Sequence, residues 1–194
     1  MTAPEPGPAA GPVPEPEPPP GPAALREMRW WDIDAVLLLE RELFPEDAWS
    51  RGMFWSELAH ARGPAATRRY LVAEAGGRIV GYAGLVASGD QGDVQTIAVA
   101  RGRWGTGLGA RLLTELLRAA TAFECAEVML ECRVDNTRAQ RLYERFGFEA
   151  IGFRRGYYQP GNVDALVMRL TDPSASVAGT DPLPGTERGT EING

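Results

Sequence analysis

Three glycines at alternate positions, Gly105, Gly107 and Gly109, stand in the stretch RWGTGLGARLL directly before an amphipathic run. A glycine-rich turn that opens a helix presents backbone N–H groups lacking intrahelical partners at the positive end of the helix dipole, which suits an anion. Dinucleotides, nucleoside triphosphates and coenzyme A are all held by turns of this kind. The chain has no lysine, all twenty basic residues being arginine, and a Walker phosphate loop needs its lysine after the second glycine. The same absence removes Schiff-base chemistry.

The surroundings of the turn decide among the rest. Residues 25–30 read as a strand and 32–43 as a helix with apolar Ile33, Val36, Leu37, Leu39 and Leu43, stopped at Phe44-Pro45. After a loop over 45–49, Ser50 caps a second helix running to about residue 61. Residues 70–74 and 78–86 form a hairpin around Gly76 and Gly77, and 93–99 a third strand. The helix after the glycines, 105–123, carries Leu108, Leu112, Leu116, Leu117 and Ala120 on one stripe. A strand over 128–134, a helix over 137–146 ended by Gly147, and strands over 148–153 and 165–170 complete the order. This is an α+β chain with a mixed, mostly antiparallel central sheet flanked by helices. A dinucleotide-binding fold repeats βαβ units and sets its first glycine almost at the strand end; here residues 100–104 intervene.

Ten of the sixteen prolines precede Leu25, in a segment of Pro, Ala, Gly and Glu that buries too little apolar surface to offset chain entropy. Residues 1–24 are therefore expected to be a disordered arm, 25–170 the folded domain, and 171–194, rich in Ser, Thr, Gly and Pro, a second disordered tail. The first and last 24 residues each contribute −3 to the net charge of −6, leaving the central 146 near neutral. That balance implies neither a nucleic-acid footprint nor a basic membrane face. There is no secretory signal pattern and no apolar run long enough to span a bilayer. Cys125, Cys132 and the single His60 have no metal-ligand spacing, so no metal is expected, and unbridged cysteines suit the cytoplasm. His60 lies in a polar helical stretch and reads as a surface residue.

The runs IAV, GLGARLL, MLECRVDN, RLYERFGF and RRGYYQPGNVDALVM, in that order, resemble the GNAT superfamily of acetyl-CoA-dependent N-acetyltransferases. More narrowly they are similar to its RimI type, the ribosomal-protein alanine N-α-acetyltransferases. The resemblance covers residues 25–170. It implies that Ile97, Ala98 and Val99 lend backbone groups to the pantetheine arm and thioester carbonyl, and that Gly105, Thr106, Gly107, Leu108, Gly109 and Ala110 hold the pyrophosphate. The family motif opens on Gln or Arg; this chain has Trp104 there, with Arg101 and Arg103 beside it. Asn136 matches a coenzyme A contact and equally suits a helix cap.

In VMLECRV the side chains alternate, so Glu131 shares a face with Met129 and Arg133. On its own the strand suggests an exposed or Arg133-paired carboxylate; the resemblance makes Glu131 the proton acceptor. Tyr143 falls on the apolar face of its helix and reads as core; the resemblance makes it the proton donor to the departing thiolate. Phe44, Trp49, Tyr157 and Tyr158 are expected to flank the acceptor groove. An α-amino group near pKa 7.8 needs about 1 kcal/mol to be neutral at pH 7, against about 4.6 for lysine near 10.4. This favours the N-terminus of a protein, by resemblance the N-terminal alanine of the eighteenth small-subunit ribosomal protein. A lysine or small-amine acetyltransferase and a non-catalytic acetyl-CoA-binding module are the competing readings.

Overall fold

The computed structural model describes residues 21–178. Seven strands form one sheet in the order β1-β2-β3-β4-β5-β7-β6: β1 (Ala24–Glu27), β2 (Arg68–Ala75), β3 (Arg78–Ser88), β4 (Gln91–Val99), β5 (Glu127–Arg133), β6 (Glu149–Tyr158) and β7 (Val163–Thr171). Every neighbouring pair is antiparallel except β4 and β5, so the expected α+β class and mixed sheet hold.

Helices α1 (Ile33–Leu43) and α2 (Arg51–Ala59) cover one face, where Ile33, Val36, Leu37 and Phe54 pack with Tyr70, Val72 and Tyr82. Ser50 caps α2 by accepting a hydrogen bond from the Met53 N–H at 3.3 Å, as its sequence position predicts. The opposite face is covered by α3 (Leu108–Ala122) and α4 (Thr137–Arg145). Leu112, Leu113, Leu116 and Leu117 of α3 are fully buried there, each stabilising the fold by roughly 1.5–3 kcal/mol through removal from water.

Both ends of the ordered domain extend past the expected boundaries. Ala23 is buried and Ala24 already pairs with Glu74, so the arm stops short of residue 24. At the other end Thr171 closes β7, and α5 (Pro173–Ala178) follows. The disordered-tail expectation is corrected there: PSASVA has no amphipathic period, but Asp172 accepts from the Ala175 N–H at 3.4 Å and Ser176 Oγ donates to the Phe146 carbonyl at 2.9 Å. Docking, not propensity, makes this helix. The remainder of both expected tails lies outside the described residues.

One irregularity positions everything that follows. Gly84 pairs with Thr96 and Leu85 with Val94, which leaves Gln95 as an extra residue in β4, a β-bulge. Tyr70 Oη donates to Gln95 Oε1 and pins it. Beyond the bulge β4 leaves β5: the two pair only through residues 91–94 and 127–130, yet β4 continues to Val99 and β5 to Arg133.

Candidate active site

Where β4 and β5 part, a cavity of about 820 Å³ opens. Its walls are the free ends of the two strands, the start of α3, the inner side of α4, and the segment from Glu40 to Trp49. Among the described residues no strand pairs with the edge of residues 95–99 that would face β5, so its backbone groups, apart from the Val99 carbonyl, are available to a ligand.

At one end stands the glycine turn. Gly105 and Gly107 have φ of 78° and 81°, a region in which a Cβ clashes with the following carbonyl oxygen. Gly107 is the residue before the first turn of α3, so the N–H groups of Leu108, Gly109 and Ala110 lie in that turn and lack helical acceptors. Arg101, Arg103, Arg138 and Arg145 border the same cavity. Trp104, at the position where the family motif has Gln or Arg, donates through Nε1 to the Val99 carbonyl at 2.7 Å. Its ring carries Arg138 Cζ at 3.3 Å from the centroid and Arg101 at 5.3 Å. Burial, and secondarily the charge of Arg101, push the Arg138 guanidinium below its ordinary value; an anion between them relieves that cost.

The other end is acidic. Glu40, Glu46, Asp47 and Glu131 border it, and Arg133, also there, is neutralised by Asp135 at 3.1 and 2.9 Å. Arg133 is therefore not the partner of Glu131. That partner is Arg154 of β6, which reaches across β7 to donate to Glu131 Oε1. Tyr158 Oη donates to the Glu131 carbonyl at 3.4 Å, and hydrogen bonding to Glu131, with burial, pushes the Tyr157 phenol up.

Tyr143 stands on α4. It is 5% exposed and packs against Phe148 with ring centroids 5.9 Å apart, yet it also borders the cavity. Tyr143 is thus a core residue that also borders the cavity. Burial, then Cys132 and Tyr158, hold its phenol well above the ordinary tyrosine value, so it stays protonated and able to donate. Cys132 also borders the cavity, but burial and Asp135 push its thiol up to about 11. A thiol so seldom ionised at neutral pH is a poor nucleophile, which favours direct transfer to an acceptor over an acyl-cysteine.

Of the residues singled out in the sequence, Phe44, Trp49, Ile97, Ala98, Val99, Gly105, Gly107, Leu108, Gly109, Ala110, Glu131, Asn136, Tyr143 and Tyr158 border this cavity. Thr106 and Tyr157 do not. Thr106 gives its N–H at 3.4 Å and its hydroxyl at 2.8 Å to the Arg103 carbonyl. Tyr157, 44% exposed, lies edge-on to Tyr158 with Arg154 4.5 Å from its ring. Asn136 Oδ1 accepts from the Ala139 N–H at 3.1 Å and caps α4. Two contributors escaped the sequence reading. Arg138 has no signal beyond its place in the first turn of α4. Glu40 has one: it interrupts the apolar stripe Ile33, Val36, Leu37 at the next helical repeat.

Residues 28–148 match the acetyltransferase (GNAT) family. The chain belongs to the GNAT family. As a GNAT protein with relatives of this activity, it is an acetyl-CoA-dependent N-acetyltransferase. It is 40% identical over 143 residues to the N-alpha-acetyltransferase RimI of Mycobacterium tuberculosis, covering 70% of this chain and 85% of that one. A Bacillus subtilis protein named as a ribosomal protein bS18-alanine N-acetyltransferase is 35% identical over 149 residues, 77% of this chain and 95% of its own. Among solved structures, the ribosomal-protein-S18-alanine N-acetyltransferase of Escherichia coli matches with a TM-score of 0.66 at 26% identity, over 77% of this chain and 93% of that one. Among the described residues no helix is long and apolar enough to cross a membrane.

Proposed function

We propose that this GNAT enzyme acetylates a protein N-terminus in the cytoplasm, specifically the N-terminal alanine of ribosomal protein bS18. The substrate follows the names of its relatives. The observation that supports the amine-acceptor reading is the lining of the cavity, where arginines and a glycine turn, carboxylates, and a protonated tyrosine border one space.

Acetyl-CoA supplies an activated acetyl thioester. The N–H groups of Leu108, Gly109 and Ala110, with Gly105 and Gly107 allowing close approach, hold its pyrophosphate, and Arg101 and Arg138 add donors and positive charge beside it. Ile97, Ala98 and Val99 offer the edge of β4 that β5 leaves free, apart from the Val99 carbonyl that Trp104 holds, to the pantetheine arm, and a donor there stabilises the oxyanion of the attacked carbonyl. Asn136 keeps its amide nitrogen for the same ligand while its oxygen caps α4.

Glu131 accepts the proton of the acceptor amine, directly or through water. Its pair with Arg154 is no obstacle, because the Arg154 side chain is 56% exposed and an incoming ammonium competes with a solvent-screened partner. Tyr143 donates to the thiolate. With ordinary values of about 10 for tyrosine and 8.5 for a thiol this transfer is uphill by about 2 kcal/mol, and the burial that raises Tyr143 raises a thiol beside it as well. Phe44, Trp49 and Tyr158 flank the acceptor, with Tyr157 supporting Tyr158 from outside.

The deciding experiment incubates the protein with acetyl-CoA and two matched peptides, one with a free N-terminal alanine and one N-blocked with an internal lysine, and follows mass and thiol release. Acetylation of the first supports the proposal; acetylation of the blocked peptide alone overturns it.

A further inference from the structure

Glu40 lies on the buried face of α1, and only 2% of its surface is exposed. Its Oε1 accepts the Trp49 N–H at 2.9 Å and so ties the loop after α1 back to the helix. Its Oε2 is buried with no hydrogen-bond partner. Glu40 borders the cavity at the acidic end, as do Glu46 and Asp47 from the loop it tethers. Glutamine would serve Trp49 equally well and fill the same volume. An ionisable oxygen kept in apolar surroundings carries a desolvation cost that a cation at hydrogen-bonding distance offsets.

We propose that Glu40 is the cation-recognising residue of the acceptor subsite, its Oε2 accepting a hydrogen bond from the ammonium group of the incoming amine, with Glu46 and Asp47 lending their charge at the rim. This rests on the amine-acceptor reading above and divides the work within it. Glu40 is the buried carboxylate with an oxygen to spare for capture, and Glu131, whose exposed Arg154 partner an amine can displace, serves deprotonation. A metal ion is the poorer fit, since one oxygen of Glu40 is committed to Trp49 and no group of three or more His, Cys, Asp or Glu among the described residues is arranged to hold one. Burial pushes the Glu40 carboxyl up to about 7, with Asp47 adding to the effect; a bound ammonium reverses that shift and keeps the carboxylate charged.

The test uses the full chain, acetyl-CoA, a peptide with an N-terminal alanine and its des-amino counterpart, in which a propionyl group replaces the alanyl residue, as a competitive inhibitor. The wild type should bind the ammonium peptide about tenfold or more tighter than the des-amino one, as a hydrogen bond to a charged group implies. Glu40→Gln should abolish that preference and raise the peptide KM about tenfold, leaving the acetyl-CoA KM unchanged. An unchanged peptide KM and preference in Glu40→Gln overturns the proposal while the α-amine reading stands. Should Glu40→Gln lower Tm, the wild-type comparison decides by itself: equal binding of the two peptides overturns the proposal. If the wild type acetylates only the blocked lysine peptide, the α-amine reading fails, and the same comparison with lysine and norleucine peptides tests Glu40.

Discussion

The guanidinium of Arg138 rests 3.3 Å from the centroid of the Trp104 ring, and Arg101 stands over the same ring at 5.3 Å. Trp104 thus positions two cations beside the glycine turn. Cation–π contacts contribute about 0.5–2 kcal/mol. Trp104→Ala is therefore expected to raise the acetyl-CoA KM about 2- to 30-fold with little change in kcat. Titration calorimetry with coenzyme A at two salt concentrations gives the same answer without turnover; an unaltered affinity means the arginines hold their places unaided.

The two residues proposed to transfer protons separate by pH. Glu131→Gln is expected to lower kcat at neutral pH about 10²- to 10⁴-fold. The deficit should shrink toward alkaline pH, where an α-amine near 7.8 loses its proton unaided. Tyr143→Phe should lower kcat by a similar factor at every pH, with both KM values kept. Because burial raises Tyr143 above its ordinary value, the wild-type rate should show no alkaline fall from this phenol up to about pH 10. A full pH–rate profile of the three proteins checks all of this.

Cys132 borders the cavity with its thiol pushed up to about 11. Direct transfer predicts that Cys132→Ala keeps kcat within about threefold and that no acetylated enzyme accumulates when the acceptor is withheld. Mass spectrometry of the enzyme mixed with acetyl-CoA alone would detect the acyl-cysteine that overturns this.

Glu40 also marks the stability curve. Its carboxyl is raised from 4.5 to about 7 in the native state, chiefly by burial. Between those values the folded protein holds a proton that the unfolded chain releases, so the native state loses stability as pH rises from about 4.5 through 7. Glu40→Gln removes this dependence. The variant should match the wild type near pH 4.5 and exceed it by on the order of 3 kcal/mol at pH 8, as read by urea denaturation at both pH values.

Gly84 is fixed by contact. A Cβ on it would lie 2.3 Å from Cε1 of the buried Tyr70 ring, and Tyr70 is the residue that holds Gln95 in the bulge. Gly84→Ala should cost about 1–3 kcal/mol of stability through overpacking and also raise the acetyl-CoA KM, because the displaced ring releases the bulge. Tyr70→Phe isolates the second effect: the hydrogen bond goes and the packing stays.

The elements themselves were legible because each has a local period: the leucine stripe of α3, the alternation of β5, the Ser50 cap of α2. What the residues do across space was less so. Nothing near Glu131 in the chain announces Arg154, since the two meet only because β6 lies one strand beyond β7 at the edge of the sheet. Gln95 reads as an ordinary strand residue until its neighbours are counted against Gly84 and Leu85. Helix α5 was missed because docking on Phe146 outweighs a composition that favours no helix. Trp104 stands out in the sequence, but the Arg138 that stacks on it comes from α4.

The join between β4 and β5 spans four residue pairs, the one parallel seam among the described strands. On one side stand β1 to β4, on the other β5 to β7, and past the seam the gap between them is the cavity. A molecule seated there, bonded to the loose edge of β4 and to the turn before α3, bridges the halves as mortar bridges two courses of brick. The acetyl donor is thus also a building material: donor binding should raise Tm by mass action and slow amide exchange along both strands at the seam.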